Sequence, residues 1–153
     1  MQPRGLLSSD VTDGPTDALA GGGDVLPDAI VVRGGDPCDA GQLERMLDQA
    51  RVSYEEGEGY ALSTFAGHDP AKSRQELVAD VARTCCMPQR RLAVTTARRI
   101  TEAGFRLVPD GELPGHVNID LGSELTDEVV KRFIDLFEPA EENPTYPEFR
   151  KGR

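Results

Sequence analysis

Between residues 28 and 138, short β-rich runs alternate with apolar stripes at helical spacing. That alternation confines the chain to architectures in which helices cover a sheet. The first run, Ala29 to Val32, is stopped by Gly34-Gly35. Asp39 then stands three residues before Gln42, a capping spacing, and Leu43, Met46, Leu47, Ala50 and Tyr54 fall on one helical face. Gly57 and Gly59 close this helix, and Tyr60 to Ala66 reads as a second strand, rich in aromatic and β-branched residues. Strand, helix, strand implies a parallel crossover.

Asp69-Pro70 opens the next expected helix, with Leu77, Val78, Val81, Ala82 and Cys85 on one face until Pro88 interrupts. The following segment repeats Ala93, Ala97 and Ile100 at helical spacing and ends at Gly104, although residues 89–96 fit a strand as well. Phe105 to Val108 and His116 to Leu121 flank a turn-rich loop and form a hairpin. In its second arm Val117, Ile119 and Leu121 alternate with His116, Asn118 and Asp120, which gives the sheet a polar, accessible face. Thr126 caps the last helix, whose stripe is Val129, Val130, Phe133, Ile134 and Phe137.

The expected fold is therefore α+β in the order β-α-β-α-α-β-β-α. It has a small mixed sheet of about four strands, covered on one face by roughly three to four helices. Residues 1–27, rich in Gly, Pro and Asp, lack the apolar surface to order themselves and are expected to form a flexible arm. Residues 28–138 form the single domain. Residues 139–153, with three prolines, are expected to be a flexible tail, although Tyr146 and Phe149 could dock back onto it.

Charge and cysteine usage narrow the function classes. The chain of 153 residues carries a net charge of −10, which excludes nonspecific DNA binding, yet residues 72–106 hold 8 basic and 3 acidic side chains. Arg90, Arg91, Arg98 and Arg99 in that basic middle are the candidate surface for an acidic protein or an RNA backbone. No aromatic residue lies between Lys72 and Gly104 to stack on bases. The start lacks a basic segment followed by an apolar run, and no window approaches the ~20 apolar residues of a membrane span. A cytoplasmic location without membrane contact is expected. Cys38, Cys85 and Cys86, without Cys-x-x-Cys spacing, read as reduced thiols and not as metal ligands. The excess of arginine over lysine suits a GC-rich bacterial genome.

Gly34-Gly35 invites comparison with a phosphate-binding loop, but Asp36 and Asp39 occupy the positions an anion would need and no Gly-Lys-Ser/Thr follows. It reads as a strand-to-helix turn. Arg33 just before it, Ser63 in the second strand, and the two histidines, His68 and His116, are the candidates for chemistry. The pieces "VVRGG" and "YALSTFA" resemble the arginine and Ser-Thr-Ser elements of mono-ADP-ribosyltransferases of the Arg, Ser-Thr-Ser, Glu-x-Glu type. The resemblance covers only these two pieces. Glu56-Gly57-Glu58 precedes Ser63-Thr64, where that family has its Glu-x-Glu after them, so the chain is not assigned to it. No cofactor or metal is expected, because His116, Asn118 and Asp120 sit two apart on a strand and only neighbours could chelate.

With no complete catalytic motif, the first expectation is a protein-binding regulatory module using the arginine surface. The alternative is a small nucleotide- or RNA-acting enzyme, a transferase or nuclease of toxin-like size, using Arg33, Ser63 and His116.

Overall fold

The computed structural model describes residues 25–57, 59–109 and 115–147. The first strand, β1 (Ile30–Gly34), leads through the Gly34-Gly35 turn into helix α1 (Ala40–Glu55). Gly35 has φ +100°, a conformation that favours glycine, and Asp39 caps α1 by accepting from the Gly41 N–H at 3.0 Å. The glycine pair is thus a turn, and Asp39 is a cap.

Then come β2 (Ala61–Gly67), α2 (Arg74–Thr84), β3 (Arg91–Thr96) and α3 (Ala97–Glu102). They are followed by β4 (Arg106–Pro109), β5 (His116–Asp120), α4 (Asp127–Asp135) and β6 (Glu141–Glu142). Helix α2 begins later than Asp69-Pro70 suggests, because Ser73 and Glu76 make a reciprocal capping box. Asp69 instead closes a turn by accepting from the Ala71 N–H. Thr126 caps α4 through the Val129 N–H, as its position in the sequence implies.

The fold is mixed α/β, but the sheet differs from the expectation in three ways. It has six strands among the described residues, in the order β4-β5-β2-β1-β3-β6, and every neighbouring pair is antiparallel. Residues 91–96 are a strand, and β6 adds an edge strand of only two residues. The strand–helix–strand unit β1-α1-β2 is not a parallel crossover, since α1 leaves from and returns to the same end of the sheet. The parallel crossover is β2-α2-β3, with β1 between the two strands and antiparallel to both. Spacing gave no sign of this, because a helical connection of this length can serve either return direction.

Both faces of the sheet are covered, where one was expected. On one face Leu77, Val78, Val81 and Ala82 of α2 pack on Ile30 and Val32 of β1 and Leu92 and Val94 of β3. On the other, Met46 and Ala50 of α1, Ile100 of α3 and Val129 and Phe133 of α4 pack on Val31, Leu62, Ala66, Val117 and Ile119. Phe133 is fully buried, with Phe137 edge-on to its ring at 5.3 Å. Helix α2 lies over β1 and β3, and His116, Asn118 and Asp120 on β5 stay half-exposed beside it. That is the polar face their alternation implies.

The domain also extends past residue 138. Through residue 147 the segment expected to be a tail is packed: β6 pairs with β3, and Asn143 and Thr145 are buried. The Asn143 amide donates to the carbonyls of Met87 and Gln89 at 2.9 and 2.8 Å, and its oxygen accepts from the Thr145 N–H and hydroxyl. Four satisfied hydrogen bonds explain how a polar residue can be buried there. At the other end Val25 and Leu26 pack on the core and the Pro27 carbonyl accepts from the Arg98 N–H, so the folded part begins by residue 25. The remainder of both expected arms, including Phe149, lies outside the described residues.

Candidate functional site

Arg33 sits at the end of β1 and is only 9% exposed. Its Nη1 donates to the Ser63 carbonyl at 2.5 Å and its Nη2 to Gln49 Oε1 on α1 at 2.5 Å. Both acceptors are neutral. Among the described residues no carboxylate pairs with it, and its Nε has no hydrogen-bond partner. Burial, the cause of the shift, lowers its pKa to about 10. The side chain is therefore cationic at neutral pH, in a place where desolvation is opposed only by dipoles.

The strand register delivers the neighbours. Val32 pairs with Phe65, so Arg33 and Gly34 run alongside Thr64 and Ser63 of β2. On the other side of β2, Ser63 pairs with Asn118 and Phe65 with His116. Ser63 and His116 are thus diagonal neighbours on one face, within side-chain reach. The Ser63 hydroxyl is hydrogen-bonded to His116 Nε2, and the Phe65 ring lies 5.3 Å from the imidazole, tilted by 58°.

A hollow of about 330 Å³ opens here, lined by Arg33, Gln49, Ser63, Phe65, Met87 and Gln89 among others. A smaller one of about 190 Å³ lies against Arg33, Gly34, Gln49 and Gln89 and adds Gln42 and Arg45. Arg33 lines both. Ser63 meets two of the other three residues marked for chemistry, Arg33 at its main-chain carbonyl and His116 at its hydroxyl, while His116 lines neither hollow. His68 is apart from them: it follows the far end of β2, where Gly67 pairs with Ile30, roughly 16 Å along the strand from Ser63. His68 lies three residues past Phe65, the register partner of His116, and is not part of the Ser63–His116 contact.

The four arginines of the basic middle fall into two pairs along the chain. Arg90 and Arg91 stand at the start of β3, whereas Arg98 and Arg99 stand on α3 beyond its end, roughly 20 Å of strand away. Arg98 pairs with Asp28 at 3.1 Å and Arg90 approaches Glu142 at 3.5 Å, both in exposed positions where such pairs are weak. Glu56 and Gly57 lie at the end of α1, and Glu58 is outside the described residues.

Sequence reasoning missed Gln49, Gln89 and Phe65 as site residues. A signal existed for α1, since Gln42, Arg45 and Gln49 recur at helical spacing beside the apolar stripe and line the smaller hollow. For Gln89, which lies in a loop, there was none.

No helix among the described residues is long and apolar enough to cross a membrane. No protein-family model, no curated protein and no solved structure matches the chain.

Proposed function

We propose that the chain is a small enzyme acting on a nucleotide or RNA, with Arg33 as the clamp for a phosphate and Ser63 and His116 at the reacting group. One observation carries this reading: a buried guanidinium without a carboxylate shares a hollow with a serine whose hydroxyl is bonded to an imidazole. A buried cation left to neutral dipoles is costly to the fold, and an incoming anion would supply the missing charge. The Ser63–His116 pair has the arrangement of a nucleophile and a general base, in which the imidazole takes the hydroxyl proton as the oxygen attacks. A nucleophile–base pair joined to a phosphate clamp through the Ser63 main chain suits group transfer or hydrolysis. The alternative of a binding module built on Arg90, Arg91, Arg98 and Arg99 has weaker support, because the two pairs stand at opposite ends of β3, roughly 20 Å of strand apart.

The test is incubation of the wild type, Arg33→Ala and His116→Ala with labelled NAD, nucleoside triphosphates and total RNA. The wild type should consume one of them, and each variant should lose at least ~100-fold in turnover while unfolding as a single cooperative transition. A wild type that consumes none, or an active His116→Ala, would refute the reading.

A further inference from the structure

The larger hollow has a lining of two kinds. Arg33, Gln49 and Gln89 contribute charge and carboxamides, and Val32, Phe65, Met87 and Pro88 contribute apolar surface. Gln89 lines both this hollow and the smaller one. Its side chain lies across Gly34 so closely that a Cβ there would fall 2.2 Å from Cδ of Gln89. Glycine at 34 therefore gives the carboxamide its place at the seam, where Arg33 faces both hollows and Arg45 rims the smaller.

We propose that this seam and its apolar wall hold one nucleotide unit, with its phosphate at Arg33 and Arg45 and its base against Phe65 and Pro88. The inference rests on the reading of Arg33 as an anion clamp and names what that clamp holds. A phosphate ion would leave the apolar wall wet, and a nucleoside would leave the guanidinium without a counter-charge. A nucleotide answers both kinds of lining, and the hollow lies at the lower end of the size range of small-ligand sites. The Phe65 ring offers a face for a base, and the two carboxamides offer donors and acceptors to its edge or to the ribose. A long polynucleotide would need cations spaced along its backbone. Arg83, Arg90 and Arg91, the nearest in sequence to the loop that walls the hollow, do not line it.

Calorimetric titration of the full chain with adenosine, inorganic phosphate, the common nucleoside 5′-monophosphates and an RNA decamer with a 5′-hydroxyl tests this. At least one monophosphate should bind ~10-fold or more tightly than both adenosine and phosphate. Arg33→Met should bring it down to the nucleoside's affinity, and Phe65→Leu should weaken it by ~5-fold or more while leaving phosphate unaffected. Phosphate or adenosine binding as well as every monophosphate, a decamer binding more tightly than any of them, or no binding at all would overturn the proposal. The two readings can fail separately. Monophosphate binding without turnover of any substrate would defeat the catalytic reading only, and RNA turnover without monophosphate binding would defeat this one only.

Discussion

Arg33 donates to the main-chain carbonyl of Ser63 at 2.5 Å, while the hydroxyl of the same serine bonds to His116 on the next strand. One residue thus meets the cation through its backbone and the imidazole through its side chain. The two contacts can be separated by mutation. Ser63→Ala keeps the carbonyl that Arg33 uses and removes only the group that His116 meets. Steady-state kinetics on the substrate identified for the wild type should show kcat reduced by ~100-fold or more with KM little changed. A raised KM with kcat intact would make Ser63 a binding residue.

Asn143 joins the last described segment to the wall of the hollow, because both carbonyls it holds, those of Met87 and Gln89, belong to the 85–90 loop. Asn143→Leu would leave two buried or half-buried carbonyls without their donor. It should cost about 2–3 kcal/mol in denaturant titration. Ligand binding by that variant should weaken even where it stays folded, since Gln89 loses its backbone anchor. A loss below ~0.5 kcal/mol would mean that residues 141–147 form an appendage with no part in shaping the hollow.

Cys85 and Cys86 are adjacent but unlike. Burial raises the Cys85 thiol to about 11, whereas Cys86, with φ +53°, is exposed and lines the hollow. A pKa raised from 9.0 to about 11 cuts the thiolate fraction at pH 8 by about 100-fold, so alkylation should reach Cys38 and Cys86 well before Cys85. A bound ligand should slow Cys86 and leave Cys38 unaffected. Mass spectrometry of partly alkylated protein measures all three rates, and equal protection of Cys38 and Cys86 would place the ligand elsewhere.

Much of the fold could be read from residue periodicity, and the exceptions have physical causes. The alternation in His116 to Leu121 and the cap at Thr126 were legible because β5 and α4 each bury one side only. β3 was ambiguous because Leu92, Ala93, Val94 and Thr95 are buried on both faces of the sheet, which erases the period of two. β6 is too short to carry a pattern, and strand direction is not written in spacing. Within the site, Arg33, Ser63 and His116 could be nominated by type. Their meeting depends on a register between residues 53 apart in sequence, and the burial of an arginine without a carboxylate has no local signature.

If Arg33 is kept for a ligand and not for the fold, removing its charge should not cost the apo protein stability. Its pKa is lowered by burial, so the charged form disfavours the folded state. That cost is fully present at neutral pH and is relieved only as pH rises above about 10. Urea unfolding of wild type and Arg33→Met at neutral pH, without ligand, measures it most directly. The variant should stay within ~1 kcal/mol of the wild type or exceed it, because a methionine of similar length removes a buried cation lacking an ionic partner. A loss of ~3 kcal/mol or more would contradict this and make Arg33 a structural strut between β1, β2 and α1.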